Sequence, residues 1–182
     1  MADQQLLAAA TPSAAETALA RGANVNVKDA QGTPVVVLAL RKDRPMLAKS
    51  LIERGADVNA KDAAGINAMM LVPTILNDVK REKLFGAIIA DPQLDVNAVD
   101  NEGKSILTYV MEAVNPDEVI IDYLLENSVI VKENDIALAD ENYPEYRPIL
   151  EAKKQRQDRA APGGRRRKTR KLRTRRRRTM RR

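Results

Sequence analysis

Apolar residues recur at three- and four-residue spacing along the first 157 positions of the chain, as on one face of a helix. Clear stripes lie at 46–52, 84–89 and 119–125. The spacing predicts an all-α protein built from helix pairs, and the last pair is expected to be frayed because Pro144 and Pro148 interrupt it. The predicted pairs are 3–10 with 12–21, 34–41 with 44–54, 67–76 with 78–90, 105–114 with 116–127, and 134–142 with 145–157.

An eleven-residue segment repeats along the chain. Residues 22–32 recur 33 positions later at 55–65 with 8 of 11 identical, and again 38 positions further on, at 93–103, with 6 of 11 identical to 55–65. A fixed period of this length indicates stacked units, each of which buries its apolar face against its neighbours and so contributes to an extended surface. The five extra residues of the third unit are expected around 72–81, where Pro73 disturbs a helix.

Glycine and aspartate mark the turns between the predicted helices. Gly22 and Gly55 follow helical stretches, where a left-handed residue ends the helix and glycine adopts that conformation without steric cost. Three aspartates each precede a glycine by three positions, a spacing at which the aspartate can bond its own downstream backbone in a tight turn. These aspartates are Asp29, Asp62 and Asp100, and Asn26, Asn59 and Asn97 in the same segments are interpreted as residues that bond the backbone.

Polar residues in front of prolines mark predicted helix starts. Thr11 and Thr33 each precede a proline, which predicts an N-cap followed by proline at the first helical position. Asn115 is predicted to cap a further helix in the same way, with Glu118 placed for a capping box.

The turn segment and the helix pair after it resemble the ankyrin repeat, whose pattern is roughly D-x-x-G-x-T-P-L-H, a helical pair and G-A-D-V-N-A. The matching positions are Asp29, Gly32, Thr33, Pro34, Leu51, Ile52, 55–60, Asp62, Gly65, Asp100, Gly103, Ser105 and Leu107. The units look degenerate, because none has the usual histidine and only one keeps Thr-Pro at its opening. The resemblance implies a solenoid of four to five helix–turn–helix units with β-turn loops. In composition the chain also resembles short ankyrin proteins of large DNA viruses.

The resemblance to ankyrin repeats also implies a function. Modules of this kind bind proteins through their loop tips and the inner face of their first helices. Because the framework positions are set by geometry, partner choice is expected to rest on the variable tips. Carried over position by position, the candidate protein-binding residues are Lys28, Ala30, Gln31, Lys61, Ala63, Ala64, Val99, Asn101 and Glu102.

Charge is divided unevenly along the chain. The chain holds 31 basic and 25 acidic residues, a net charge of +6, but 13 of the basic residues and none of the acidic ones lie at 165–182. The division predicts an acidic repeat domain at 1–157, a flexible linker at 158–164, and a basic tail at 165–182 that is disordered because its like charges repel. The basic residues of the tail are Arg165, Arg166, Arg167, Lys168, Arg170, Lys171, Arg173, Arg175, Arg176, Arg177, Arg178, Arg181 and Arg182.

Two roles are open for the basic tail. A cluster of Lys and Arg of this length is typical of a nuclear-import signal or of a nucleic-acid-binding patch, which gains affinity from the release of counterions. No aromatic residue lies among the charges, so stacking on bases is not expected and any binding should ignore base identity. An inert solubilising tail, or one that folds back on the acidic domain, is the alternative to both.

Catalysis is not expected. The chain has no His and no Cys, and it has no glycine loop of the kind that cradles phosphate. The aspartates of the turns lie on separate repeats without a dense ligand cluster, so neither a metal nor a cofactor is expected. The sequence favours a non-enzymatic adaptor that binds one or more proteins while its tail targets the nucleus or tethers nucleic acid. The alternative is a nucleic-acid-packaging or architectural protein in which the tail acts and the repeats are a spacer.

The chain is expected to be a monomer inside the cell, cytoplasmic, nuclear or both (in the host cell if the protein is viral). Its longest apolar run, 35–40, is too short to cross a bilayer, so no membrane association is expected. Its first residues lack the basic and then apolar profile of a signal peptide.

Overall fold

A computed structural model describes residues 1–113 and 117–160 of the chain. Within these ranges the backbone forms ten α-helices and no strand, which confirms the all-α prediction for this part of the chain. The helices are α1 (Ala2–Ala8), α2 (Pro12–Ala20), α3 (Val35–Arg41), α4 (Pro45–Glu53), α5 (Ala68–Leu71), α6 (Asp78–Ile89), α7 (Ile106–Glu112), α8 (Glu118–Glu126), α9 (Glu133–Asn142) and α10 (Arg147–Ala160).

The helices pack in two rows that follow chain order. Helices α1, α3, α5, α7 and α9 lie side by side in one row, called here the inner row, and α2, α4 and α6 lie side by side in the other. Phe85 of α6 meets Tyr123 of α8 edge-on, with ring centroids 5.4 Å apart, and this contact extends the second row. The buried side chains form one cluster from Leu6 to Leu150, so each helix pair is stabilised mainly by its neighbours.

Two helices end at glycines, as predicted. Gly22 after α2 and Gly55 after α4 have φ of 86° and 87°, in the left-handed region. The next amide in each case reaches back to close the helix, from Ala23 to the carbonyl of Ala18 at 3.1 Å and from Ala56 to that of Leu51 at 3.0 Å. A side chain at either glycine would strain this geometry.

The predicted N-caps are confirmed at one helix and wrong at another. Thr11 caps α2, because its side chain accepts a hydrogen bond from the amide of Ala14 at 3.3 Å and a proline follows it. Thr33 does not cap α3: Pro34 holds the N-cap position, and the Thr33 amide donates instead to Asp29 at 2.8 Å. Pro34 stays extended in an antiparallel bridge with Lys28, and the Val35 amide donates to the carbonyl of Val27 at 3.0 Å, so the helix begins one residue later than predicted.

The start of α8 also differs from the prediction. Asp117 caps this helix by accepting a hydrogen bond from the amide of Val119 at 3.1 Å. Glu118 is consequently the first helical residue and not the third, so it cannot close a capping box. Asn115, the predicted cap, lies outside the described residues.

The extra residues of the third unit lie where they were predicted. Helix α5 spans only four residues and continues as a single 3₁₀ turn, Val72–Thr74, that contains Pro73. The chain is then extended at Ile75 before Asn77 caps α6 by accepting from the amide of Lys80 at 2.9 Å. The insertion shortens the inner helix and adds a loop at the end of the molecule opposite the turns.

The last helix pair is regular, and the expectation that it is frayed is wrong. Helix α9 has ten residues and α10 has fourteen, and Tyr143 and Leu150 are buried between them and the neighbouring helices. Helix α10 includes residues 158–160, so the first three residues of the predicted linker are helical. The rest of the linker and the whole predicted disordered tail, 161–182, lie outside the described residues.

Candidate interaction face

Three aspartates build the same turn three times. Each accepts two backbone amides on its Oδ1, from the residues two and four positions ahead, and the glycine of each turn has positive φ. The distances are 3.0 and 2.8 Å at Asp29, 2.9 and 3.0 Å at Asp62, and 2.9 and 2.9 Å at Asp100. These turns project three loops, named here tip 1 (28–32), tip 2 (61–65) and tip 3 (99–103). The prediction of aspartate–glycine turns is confirmed.

An asparagine ladder fixes the spacing between successive units. The side-chain oxygen of each asparagine accepts a backbone amide from the next unit along the chain. The three bonds run from Asp57 to Asn26 at 2.8 Å, from Asp95 to Asn59 at 2.9 Å, and from Ile130 to Asn97 at 2.7 Å. The asparagines are therefore backbone-bonding residues, as predicted, and they bond the neighbouring unit.

Side chains of the inner row reach the tips. Arg41 at the end of α3 pairs with Asp62 of tip 2, and the Tyr109 hydroxyl on α7 donates to Asp100 Oδ2 at 2.8 Å. Lys104, just after tip 3, pairs with Glu112 on α7 at 3.0 Å. The tips and the inner row therefore form one continuous surface, called here the inner face.

These contacts shift the protonation of the groups involved. Burial raises the pKa of Asp62, but hydrogen bonds from Arg41 and from two amides outweigh it, so the pKa lies below its ordinary value. Burial likewise opposes ionisation of Asp100, but the Tyr109 hydroxyl and two amides again lower its pKa. Burial and then the bond to Asp100 raise the pKa of Tyr109 to about 12. At neutral pH both aspartates are anions and the tyrosine is a neutral donor.

The structure places most of the nine predicted contact residues at the surface. Val99 is half-buried, and the other eight are exposed: Lys28, Ala30, Gln31, Lys61, Ala63, Ala64, Asn101 and Glu102. They lie on the three tips, which are brought to one side of the molecule by the ladder. Sequence analysis missed Arg41, Tyr109 and Glu112. They could have been found as polar or amphipathic residues on the first helix of a pair, at positions outside its buried apolar stripe.

Tips 2 and 3 are bonded to each other. Asn101 donates from its backbone amide to the carbonyl of Ala64 at 3.0 Å and from its side chain to that of Ala63 at 2.8 Å, and Lys61 donates to the carbonyl of Val99 at 2.7 Å. Between tip 1 and tip 2, both fully described, no hydrogen bond is present. Several predicted contact residues thus join units, while the side chains of Lys28, Gln31 and Glu102 project from the tips.

The insertion opens a cleft on the inner face. The 3₁₀ turn and its loop form one wall and α7 the other, around a volume of about 480 Å³. Ile75 is buried below it, and Leu76 at its rim is 93% exposed. Arg81 in the wall donates to Asp117 at 2.8 Å and to the carbonyl of Ile75 at 2.8 Å, and it also pairs with Asp78 at 2.7 Å.

The described residues contain no group of three or more His, Cys, Asp or Glu placed to hold a metal ion. None of the helices in the described ranges has the length and apolarity that crossing a membrane requires. The 13 basic residues predicted to bind nucleic acid or an import receptor lie outside this part of the chain.

No protein-family model matches this chain, and no curated protein does either. The geometry of the inner face is therefore the basis on which its function can be proposed. Its main features are a turn built three times in the same way, a ladder that aligns the three tips, and variable side chains that set tip 3 apart from tips 1 and 2.

Proposed function

We propose that residues 1–157 form a degenerate ankyrin-like solenoid that binds a protein through the inner face. The observation that carries the proposal is the triple turn: the same aspartate and glycine geometry presents three tips on one side of a row of first helices. Helix pairs that pack in chain order leave such a row open along its length. Surfaces of this shape suit an extended partner better than a small molecule.

The tips separate framework from variable positions, which supports binding rather than a purely structural role. Asp, Gly and Asn recur because each makes an internal bond or adopts a special φ. The side chains between them vary: Gln31, Ala64 and Glu102 all differ, and tip 3 has Val99 and Asn101 where tips 1 and 2 both have Lys and Ala. Variation at exposed positions on a constant scaffold is how repeat proteins set partner specificity.

The same features support a non-enzymatic role. The chain contains no His or Cys to serve as base or nucleophile. The partly buried carboxylates of the inner face, Asp62 and Asp100, accept backbone amides and hold ion pairs or a tyrosine bond, so they act in turns.

For the basic tail, 165–182, we propose nuclear targeting or tethering to nucleic acid. Its 13 cations without an acid supply the counterion release that drives phosphate binding. The combination makes the protein an intracellular adaptor that holds a protein on one side and is localised by its tail. An architectural protein that packages nucleic acid remains the second candidate, favoured by the same density of charge.

Paired substitutions in the full-length chain test the adaptor proposal. Lys28→Ala with Glu102→Ala removes one charge of each sign from the tips, and Lys83→Ala with Glu82→Ala removes the same charges from exposed positions on α6. Affinity purification from the native cell with nuclease present should recover the partner at least tenfold less with the tip variant, because a tenfold loss corresponds to about 1.4 kcal/mol at a contact. The α6 variant should recover it unchanged.

Equal recovery by both variants would reject the tips as the interface. The second candidate function predicts a different result: recovered material that depends on residues 165–182 and disappears on nuclease treatment. A chain that ends at Gly164 therefore separates the two functions.

A further inference from the structure

The cleft beside the insertion has a composition suited to an apolar side chain with positive neighbours. Its floor and rim are apolar, with Ile75 below, Leu76 93% exposed at the edge and the Tyr109 ring opposite. A concave site with an apolar lining and a few polar groups is the usual form of a binding site for an apolar group. This loop is the part of the third unit that departs from the 33-residue period, so stacking does not require its shape.

The charged groups of the cleft favour a cation. Arg81 has its donors occupied by Asp78, Asp117 and the carbonyl of Ile75, so it has little capacity left for an anion. The Asp78 side chain stays 83% exposed despite its pairing, and Glu112, which pairs with Lys104 at 3.0 Å, keeps 36% of its side chain exposed beside the cleft. Residues 1–164 also carry a net charge of −7, which draws positive segments toward this surface.

We propose that this cleft binds a leucine side chain flanked by Lys or Arg, and that its occupant is the chain's own segment 170–173. Only two residues of the tail are apolar, Leu172 and Met180. Leu172 has a cation on both sides, Lys171 and Arg173, whereas Met180 follows Thr179. The tail thus contains one segment that matches both the apolar floor and the carboxylate rim.

The length of chain after α10 allows this contact within one molecule. Gln157 near the end of α10 bonds the backbone at Val129 and Val131, which places that end on the side of the tips. The cleft lies about two helix spacings away, roughly 20 Å, and one helix length along the axis, also about 20 Å. Leu172 follows Ala160 by twelve residues, which span up to about 40 Å when extended.

A docked tail would compete with the partners of the inner face and with the partners of the tail itself. Nucleic acid or an import receptor would have to draw 170–173 out of the cleft, and a protein on the inner face would displace it. The contact extends beyond the adaptor function proposed above, because it is a property of the free chain and stands or falls without any external partner.

Cysteine cross-linking in the full-length protein tests the contact. Because the chain has no native cysteine, only the two introduced cysteines can form a disulfide. One variant combines Leu76→Cys with Thr174→Cys, which keeps Leu172 in place, and the matched control combines Val119→Cys with Thr174→Cys. Val119 is also exposed, at 63%, and lies in the first turn of α8, one helix pair nearer to α10. A tail that contacts the surface at random would therefore meet Val119 at least as often as Leu76.

Intramolecular disulfide formation is followed at low protein concentration in a glutathione buffer by mass spectrometry. The Leu76→Cys variant should close at least ten times faster than the control, and adding Asp78→Asn with Glu112→Gln should remove most of that difference. Equal rates in the two variants would overturn the proposal. Disulfide-linked dimers in place of the closed monomer would also overturn it, since they would assign the site to the tail of a second copy.

Discussion

The glycine of tip 2 lies where a single added carbon would meet the neighbouring unit. A Cβ at Gly65 would be 2.6 Å from the Asn101 side-chain oxygen and 2.7 Å from the Asn101 backbone nitrogen. At Gly32 in tip 1 the same carbon would meet nothing within 4 Å, although φ is almost the same, 79° against 82°. The pair therefore separates backbone strain from close packing between units.

Gly65→Ala is expected to destabilise the protein more than Gly32→Ala. Both substitutions incur the strain of a left-handed residue, about 1 kcal/mol, but only Gly65→Ala also pushes tip 3 away, which adds about 1–3 kcal/mol. Urea unfolding of the two variants measures the difference. Equal midpoints would mean that tips 2 and 3 are not held together as described.

Acid should weaken the turns through Asp62 and Asp100. Both have pKa values lowered below 3.8, so the folded state binds fewer protons than the unfolded state in acid, and their stabilisation is present above that pH and lost as the pH falls through the lowered values. The urea concentration at the unfolding midpoint should therefore decrease once the pH falls below about 4. In a variant with Asp62→Asn and Asp100→Asn, the drop between pH 6 and pH 3 should be smaller.

The control for this measurement changes two exposed carboxylates, Glu82→Gln and Glu126→Gln. Its drop between pH 6 and pH 3 should match that of the unmodified chain. A double asparagine variant with an unaltered pH profile would contradict the role assigned to the two turn aspartates.

At the scale of elements, a buried carboxylate joins α7 to α9. Asp135 is fully buried and accepts the Thr108 hydroxyl at 2.6 Å and the Lys132 amide at 2.8 Å. Thr108 in turn bonds Ser105, the N-cap of α7, so the first turns of two inner helices share one network. Such a network stabilises only when every member is bonded.

Asp135→Ala should be among the costly substitutions in the last pair. It leaves a buried hydroxyl and a partly buried amide without an acceptor, with an expected loss of about 2–4 kcal/mol. Glu141→Ala on the same helix is the control, since this side chain is exposed and its loss should stay within about 0.5 kcal/mol. A melting temperature that is the same for both variants would show that the network contributes nothing.

Helix positions were predictable from sequence because apolar spacing determines which face is buried. Pro73 similarly indicated the insertion, since proline removes a helical donor. Thr33 failed as a cap because Pro34 is held extended by a bridge to Lys28, a pairing that the local pattern does not reveal. The bond between tips 2 and 3 depends on residues 37 and 38 positions apart, such as Asn101 with Ala63 and Ala64, and the cleft depends on an irregular loop. Neither has a periodic signal.

At the scale of the whole molecule, an acidic helical domain is followed by a strongly basic segment. Residues 1–164 have a net charge of −7, and residues 165–182 have 13 positive charges. Opposite charges this close should make every property of the tail dependent on ionic strength.

The affinity of the intact protein for duplex DNA should fall steeply with salt. If about half of the tail's cations meet phosphates, some six contacts give a log–log slope near −5. Sequence preference should be slight, because the tail carries no aromatic side chain to stack on bases. Filter binding across a salt series checks the slope, with the chain that ends at Gly164 as the control. Equal affinity of the two proteins would leave nuclear import as the role of the tail.

The asparagine ladder makes the cohesion between units observable one junction at a time. The amides of Asp57, Asp95 and Ile130 donate to a side chain of the preceding unit. Hydrogen exchange at these three positions therefore reports on the junction between two units, whereas exchange within a helix reports on the opening of that helix. Measured together in the unmodified protein, the three exchange rates would show which junction parts first and in which direction the molecule comes apart.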